Sequence, residues 1–77
     1  MDIRRRLGLT VKELREAKGW SQEELGFETE LHRTYISGIE RGVRNPTIMV
    51  VALIADALGI TPGQLLDGTK GRRKRRS

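Results

Sequence analysis

Two capping boxes, Ser21-Gln22-Glu23-Glu24 and Thr61-Pro62-Gly63-Gln64, flank the middle of this chain, and Gly19, Gly42 and Gly59 each follow a stretch of helical apolar spacing. In a capping box the Ser or Thr oxygen accepts from the amide three residues on, and the Glu or Gln side chain reaches back, so the box marks a helix start. A glycine in the left-handed conformation marks a helix stop. Starts and stops this closely spaced permit only short helices. With no strand-like alternation and no internal repeat, the chain reads as all-α, five helices with short connections.

The first helix falls between Asp2 and Lys18, with Leu7, Val11 and Leu14 on one face. Thr10-Val11-Lys12-Glu13 is itself a capping-box pattern that would start the helix at Thr10, but the apolar stripe running back to Leu7 and Ile3 favours the earlier start. Ser21 begins a second helix over Gln22 to Glu28, and a third runs from Arg33 to Arg41, closed by Gly42. Pro46 disfavours helical geometry at Asn45. Thr47 then caps a fourth helix, Ile48 to Leu58, and Pro62 opens a fifth that reaches Leu66. From Gly68 onward no apolar residue remains, so residues 68–77 read as a disordered basic tail after a single domain over 1–67.

A chain of 77 residues has room for one small core, and with no cysteine that core must hold by packing alone. The net charge of +5 is misleading as a guide to partners. Six of the fifteen basic residues lie between Lys70 and Arg76, and residues 1–69 hold nine basic and ten acidic residues, a net of −1. Function must therefore be read from local arrangement rather than from overall charge. The longest apolar run, residues 47–60, is interrupted by Asp56 and is shorter than the roughly 20 residues of a membrane span. The N-terminal residues lack a secretory apolar region, so the expected location is cytoplasmic, with no membrane partner. One histidine, no cysteine and no phosphate-binding Gly-Lys loop leave no convergent catalytic set, which argues against an enzyme and against a metal or other cofactor.

Two short helices joined by a tight turn describe a helix-turn-helix over about residues 21–42. The ordered set Arg15, Gly19, Ser21, Gln22, Glu23, Glu24, Leu25, Tyr35, Ile36, Ser37, Ile39, Glu40, Arg41 and Gly42, continuing through Pro46, Ile54, Ala55, Leu58, Gly59 and Ile60, resembles the Cro/phage-repressor (XRE) type of helix-turn-helix regulators. The resemblance covers about residues 7–66 and implies a lambda-repressor-like, five-helix DNA-binding domain. Residues 31–41, LHRTYISGIER, look particularly like the small one-domain controller proteins of restriction-modification systems. Three departures stand out, one of them Thr29 in place of a more apolar residue beside the turn. Gly26 replaces the usual small Ala, keeping clearance while weakening the helix by roughly 1 kcal/mol. Glu30 replaces the usual turn glycine, which asks a non-glycine residue to hold positive φ.

The resemblance implies that the third helix enters the major groove of double-stranded DNA, with Arg33 and Thr34, then His32 and Ser37, toward base edges. Gly38 stands where relatives place a base-contacting side chain. Gln22 is the expected phosphate contact at the start of the second helix, with Tyr35, Arg41, Arg44 and Asn45 adding contacts to the DNA backbone. For His32 a plain capping role is the competing reading, and for Tyr35 packing over the turn. Arg15 and Glu40 occupy the positions of a structural ion pair.

On the fourth helix Ile48, Val51, Ile54, Ala55 and Leu58 match core positions of the family, whereas Met49, Val50 and Leu53 are apolar where relatives often carry polar residues. A wider core contact is one reading of that second stripe and a homodimer interface is the other. The homodimer, binding a two-fold operator as a transcriptional regulator, is the expectation. A competing class is a protein-interaction module on the same scaffold, such as an antitoxin, using the fourth-helix patch for a protein partner. The tail reads as loose attraction to phosphates or as a plain solvated terminus.

Overall fold

The computed structural model describes residues 2–68. It consists of α1 (Ile3–Ala17), α2 (Gln22–Thr29), α3 (Arg33–Glu40), α4 (Ile48–Leu58) and α5 (Pro62–Asp67), and no strand occurs among the described residues. The tail expected over 68–77 lies, apart from Gly68, outside them.

Local chemistry sets each boundary. The earlier start of α1 is the one formed: Asp2 caps it by accepting from the Arg4 amide at 2.8 Å. Thr10 lies inside the helix, where its hydroxyl donates to the Arg6 carbonyl at 3.0 Å instead of capping a new start. Both capping boxes are closed in both directions, Ser21 with Glu24 and Thr61 with Gln64. Thr47 caps α4 through the Val50 amide.

The turn between α2 and α3 is closed by a residue under strain. Glu30 has φ 61 and ψ 29, and it is the only non-glycine residue with positive φ among the described residues. The left-handed conformation lets the Leu31 amide reach back to the Gly26 carbonyl at 2.9 Å. Gly26 is required by the same closeness, because a Cβ there would lie 2.4 Å from the Leu31 carbonyl oxygen. The clearance expected to match that of an alanine is therefore smaller here, and an alanine would require the Leu31 carbonyl to shift.

All five helices feed one core, built from Leu7, Val11, Leu25, Ile36, Ile39, Val51, Ile54, Ala55, Leu58 and Leu65. Burial of such side chains stabilises by about 1.5–3 kcal/mol each. α3 packs against both α1 and α2, while α4 and α5 close the far side against α2 and α1. The fourth helix departs from expectation at its first residue. Ile48, read as a core position, is 85% exposed, since it opens the helix and no preceding turn covers it.

No helix among the described residues is long and apolar enough to cross a membrane. Among the same residues there is no group of three or more His, Cys, Asp or Glu side chains able to hold a metal ion.

Candidate nucleic-acid interface

Helix α3 is split lengthwise. Ile36 and Ile39 are fully buried, whereas Arg33, Thr34 and Arg41 are exposed and Ser37 is half-buried. Spacing of three and four residues produces this division, since it returns a side chain to the same face of a helix. The apolar face holds the helix while the polar face is left to solvent.

The angle of α3 is set from behind by a buried ionic cluster. Arg15 of α1 donates from Nε to Glu40 Oε2 at 2.7 Å and from Nη2 to Glu40 Oε1 at 3.0 Å. Its third nitrogen, Nη1, donates to the Trp20 carbonyl at 2.7 Å. Gln22 of α2 adds a bond from Nε2 to Glu40 Oε1 at 3.0 Å. The Glu40 hydrogen bonds hold the Arg15 guanidinium above its already high ordinary pKa, against the opposing effect of burial. With side chains 9% and 3% exposed, the pair is shielded from solvent, and its two-pronged geometry fixes orientation as well as distance. One carboxylate thereby joins three helices.

The expected site residues fall into two groups. Arg33, Thr34, His32 and Arg41 lie together on the exposed side of α3, with Arg44 and Asn45 exposed on the loop that follows. Arg33 makes only a loose contact, Nη1 to Glu23 Oε2 at 4.0 Å with both side chains largely exposed, and such a contact constrains a guanidinium little. Arg41 Nε donates to Ser37 Oγ at 3.4 Å.

Other residues are more engaged than the sequence suggests. His32 caps α3, its Nδ1 accepting from the Thr34 amide at 3.1 Å and lying 2.8 Å from Thr34 Oγ1. The Thr34 hydroxyl of this exposed residue therefore already has a partner. Gln22, read as a phosphate contact, is half-buried with its amide on Glu40, so its side chain belongs to the ionic cluster and its backbone to the first turn of α2. Tyr35 is half-buried against the core, and Arg44 lies over its ring, 5.3 Å from the centroid. Sequence reasoning missed this last contact and the Trp20 carbonyl, because neither has a signal in helical spacing.

Of the fourth-helix residues, Met49 is 72% and Leu53 is 47% exposed, one turn apart, while the exposed Ile48 borders a concavity lined by Ile3, Leu7 and Leu66 instead. Val50 is half-buried and packs against the core, so it belongs to the interior more than to the surface of Met49 and Leu53.

Comparison with known proteins agrees with this geometry. A family model described as helix-turn-helix matches residues 11–65. The control protein C.BamHI of Bacillus amyloliquefaciens is 49% identical over 69 residues, covering 88% of this chain and 85% of that protein. The restriction-modification controller protein C.AhdI from Aeromonas hydrophila superposes with a TM-score of 0.77 at 44% identity, over 80% of this chain and 94% of that one. SinR, a master regulator for biofilm formation solved in complex with DNA, superposes with a TM-score of 0.75 at 32% identity, over 79% of this chain and 98% of its own. Fold, motif and relatives together place the chain in the helix-turn-helix family, alongside the restriction-modification controller proteins.

Proposed function

We propose that this chain is a sequence-specific DNA-binding transcriptional regulator that inserts α3 into the major groove and acts as a homodimer on a two-fold operator. The observation that carries this reading is the lengthwise split of α3, whose apolar face is anchored to the core while Arg33, Thr34 and Arg41 are presented outward. The likeness to SinR, solved in complex with DNA, supports the choice of ligand.

Arg33 reads a guanine through its two-pronged guanidinium, and Thr34 sets its methyl against a thymine. Ser37 and His32 border them. The first-turn amides of α2 at Gln22 take a phosphate, as helix N-termini favour anions, and Arg41, Arg44, Asn45 and Tyr35 hold the neighbouring DNA backbone. Met49 and Leu53 pair two copies so that the two α3 helices lie about 34 Å apart, one DNA turn. Residues 68–77 add nonspecific attraction to phosphates. Such a regulator works in the cytoplasm without a cofactor and performs no catalysis.

The exposed Met49 and Leu53 surface also favours a second reading, a protein-interaction module such as an antitoxin whose partner covers that patch.

Selection from a random pool of duplexes, with residues 1–77 and with residues 1–67 at two salt concentrations, tests the proposal. An inverted-repeat motif recovered by both supports it. Retention without any motif, through the tail alone and at low salt alone, overturns it in favour of the protein-binding module.

A further inference from the structure

Position 38 lies one helical turn beyond Thr34 on α3 and carries no side chain, yet it is buried. Part of what covers it is Arg44. A Cβ at Gly38 would stand 2.6 Å from Arg44 Cγ, 3.2 Å from Nε and 3.4 Å from Cδ. The stem of the arginine thus fills the space a side chain at 38 would take.

Two further contacts put it there. The Val43 amide donates to the Gly38 carbonyl at 3.0 Å and the Gly42 amide to the Ile39 carbonyl at 3.0 Å, which folds the chain after α3 back along the helix. The Arg44 guanidinium then lies over the Tyr35 ring, a cation–π arrangement. A glycine inside a short helix is unfavourable for helix formation, so its presence calls for a compensating use.

We infer that Gly38 is a positioning residue for DNA reading: its missing side chain is a slot that seats Arg44 on the groove-facing side of α3, against Tyr35. The inference rests on the DNA-binding reading above. It moves Arg44 from the DNA backbone contact given above to a base edge, so that part of the base preference comes from a loop arginine held in place by a vacancy in the recognition helix. Seating the stem restricts the arginine before DNA arrives, which lowers the ordering cost of placing it.

Gly38→Ala is the test. The added Cβ stands closest to Arg44 Cγ, so the whole Arg44 side chain must rotate away about its first torsion, while no backbone atom is among its nearest neighbours and the melting temperature should change little. Without DNA, the Arg44 side-chain protons should show ring-current shielding by Tyr35 in the unaltered protein and lose it in the variant. In selection from random duplexes, Gly38→Ala should lose preference at one base pair of each half-site while keeping the rest of the motif. It should also bind the original motif about tenfold less tightly. Arg44→Ala should lose preference at the same base pair, and the double variant should bind no more weakly than either single one.

An unchanged motif and affinity in Gly38→Ala, or losses that add in the double variant, would overturn this inference alone. Failure of the unaltered protein to select any motif would overturn the DNA-binding reading together with it.

Discussion

Arg15 and Glu40, 25 residues apart in sequence, meet as a buried fork with bonds of 2.7 and 3.0 Å, and the helix that carries the candidate reading residues ends on that carboxylate. Removing one partner of such a pair leaves the other charged and buried without compensation. Arg15→Ala should therefore destabilise the domain by about 3–5 kcal/mol. Thermal denaturation followed by circular dichroism checks this, and an unchanged melting curve would show the pair to be a surface contact in solution.

Glu30 holds a left-handed conformation that costs an L-residue with a Cβ roughly 1–2 kcal/mol. Glu30→Gly relieves the strain but adds backbone freedom to the unfolded chain, so a net gain of about 1 kcal/mol is expected. Glu30→Val should move stability the other way. Chemical denaturation of both variants beside the unaltered protein reads the difference, and a loss of stability in Glu30→Gly would remove strain at this turn from the account.

The acid response of α1 has a definite sign. The Arg4 side chain, and after it the Arg4 amide, lower the Asp2 carboxyl from 3.8 to about 2. A carboxylate depressed in the folded state stabilises above its unfolded pKa, and that contribution fades as pH falls through the folded value. Between about pH 4 and pH 2 the first turn of α1 should begin to fray, and Asp2→Ala should abolish the pH dependence. Amide exchange at Arg4, Arg5 and Arg6 measures it; equal exchange in both proteins across this range would rule out the cap as its source.

Arg33 is 63% exposed and tied only loosely to Glu23, so Arg33→Ala should leave stability within about 0.5 kcal/mol. On DNA the same change should cost about 1–3 kcal/mol and relax discrimination at one base pair. Uniform weakening across all sequences would reassign Arg33 to a phosphate.

For the apolar surface of α4, Leu53→Glu places a charge where two copies are proposed to meet. Sedimentation equilibrium should show a dimer for the unaltered chain and a monomer for the variant. A chain that is monomeric at high micromolar concentration would reject the interface.

The helices were legible because their signals are local: capping boxes, an apolar stripe and glycine stops operate within a few residues of one another. Even the strained turn was visible, since Glu30 stands where a glycine is usual. Arg15 and Glu40 became a pair only through resemblance, as nothing in their spacing joins them. Gln22 shows the limit most clearly. Its place at a helix start suggests an anion, yet folding brings Glu40 within reach of its amide, and that carboxylate lies 18 residues further on. Ile48 fails for the opposite reason. Helical periodicity continues to the first residue of α4, but the packing it implies does not. The seat of Arg44 on Gly38 is a contact between a loop and a vacancy, and periodicity has no term for either.

Because Glu40 is gripped by Arg15 and Gln22 on the inner side of α3, the residues that hold this helix and those it presents are different residues. Exchanging Arg33, Thr34 or Ser37 alters what is offered outward without touching the grip. Scaffold and message are separable, so new sequence preferences can accumulate on the outer face through many substitutions while folding is left undisturbed.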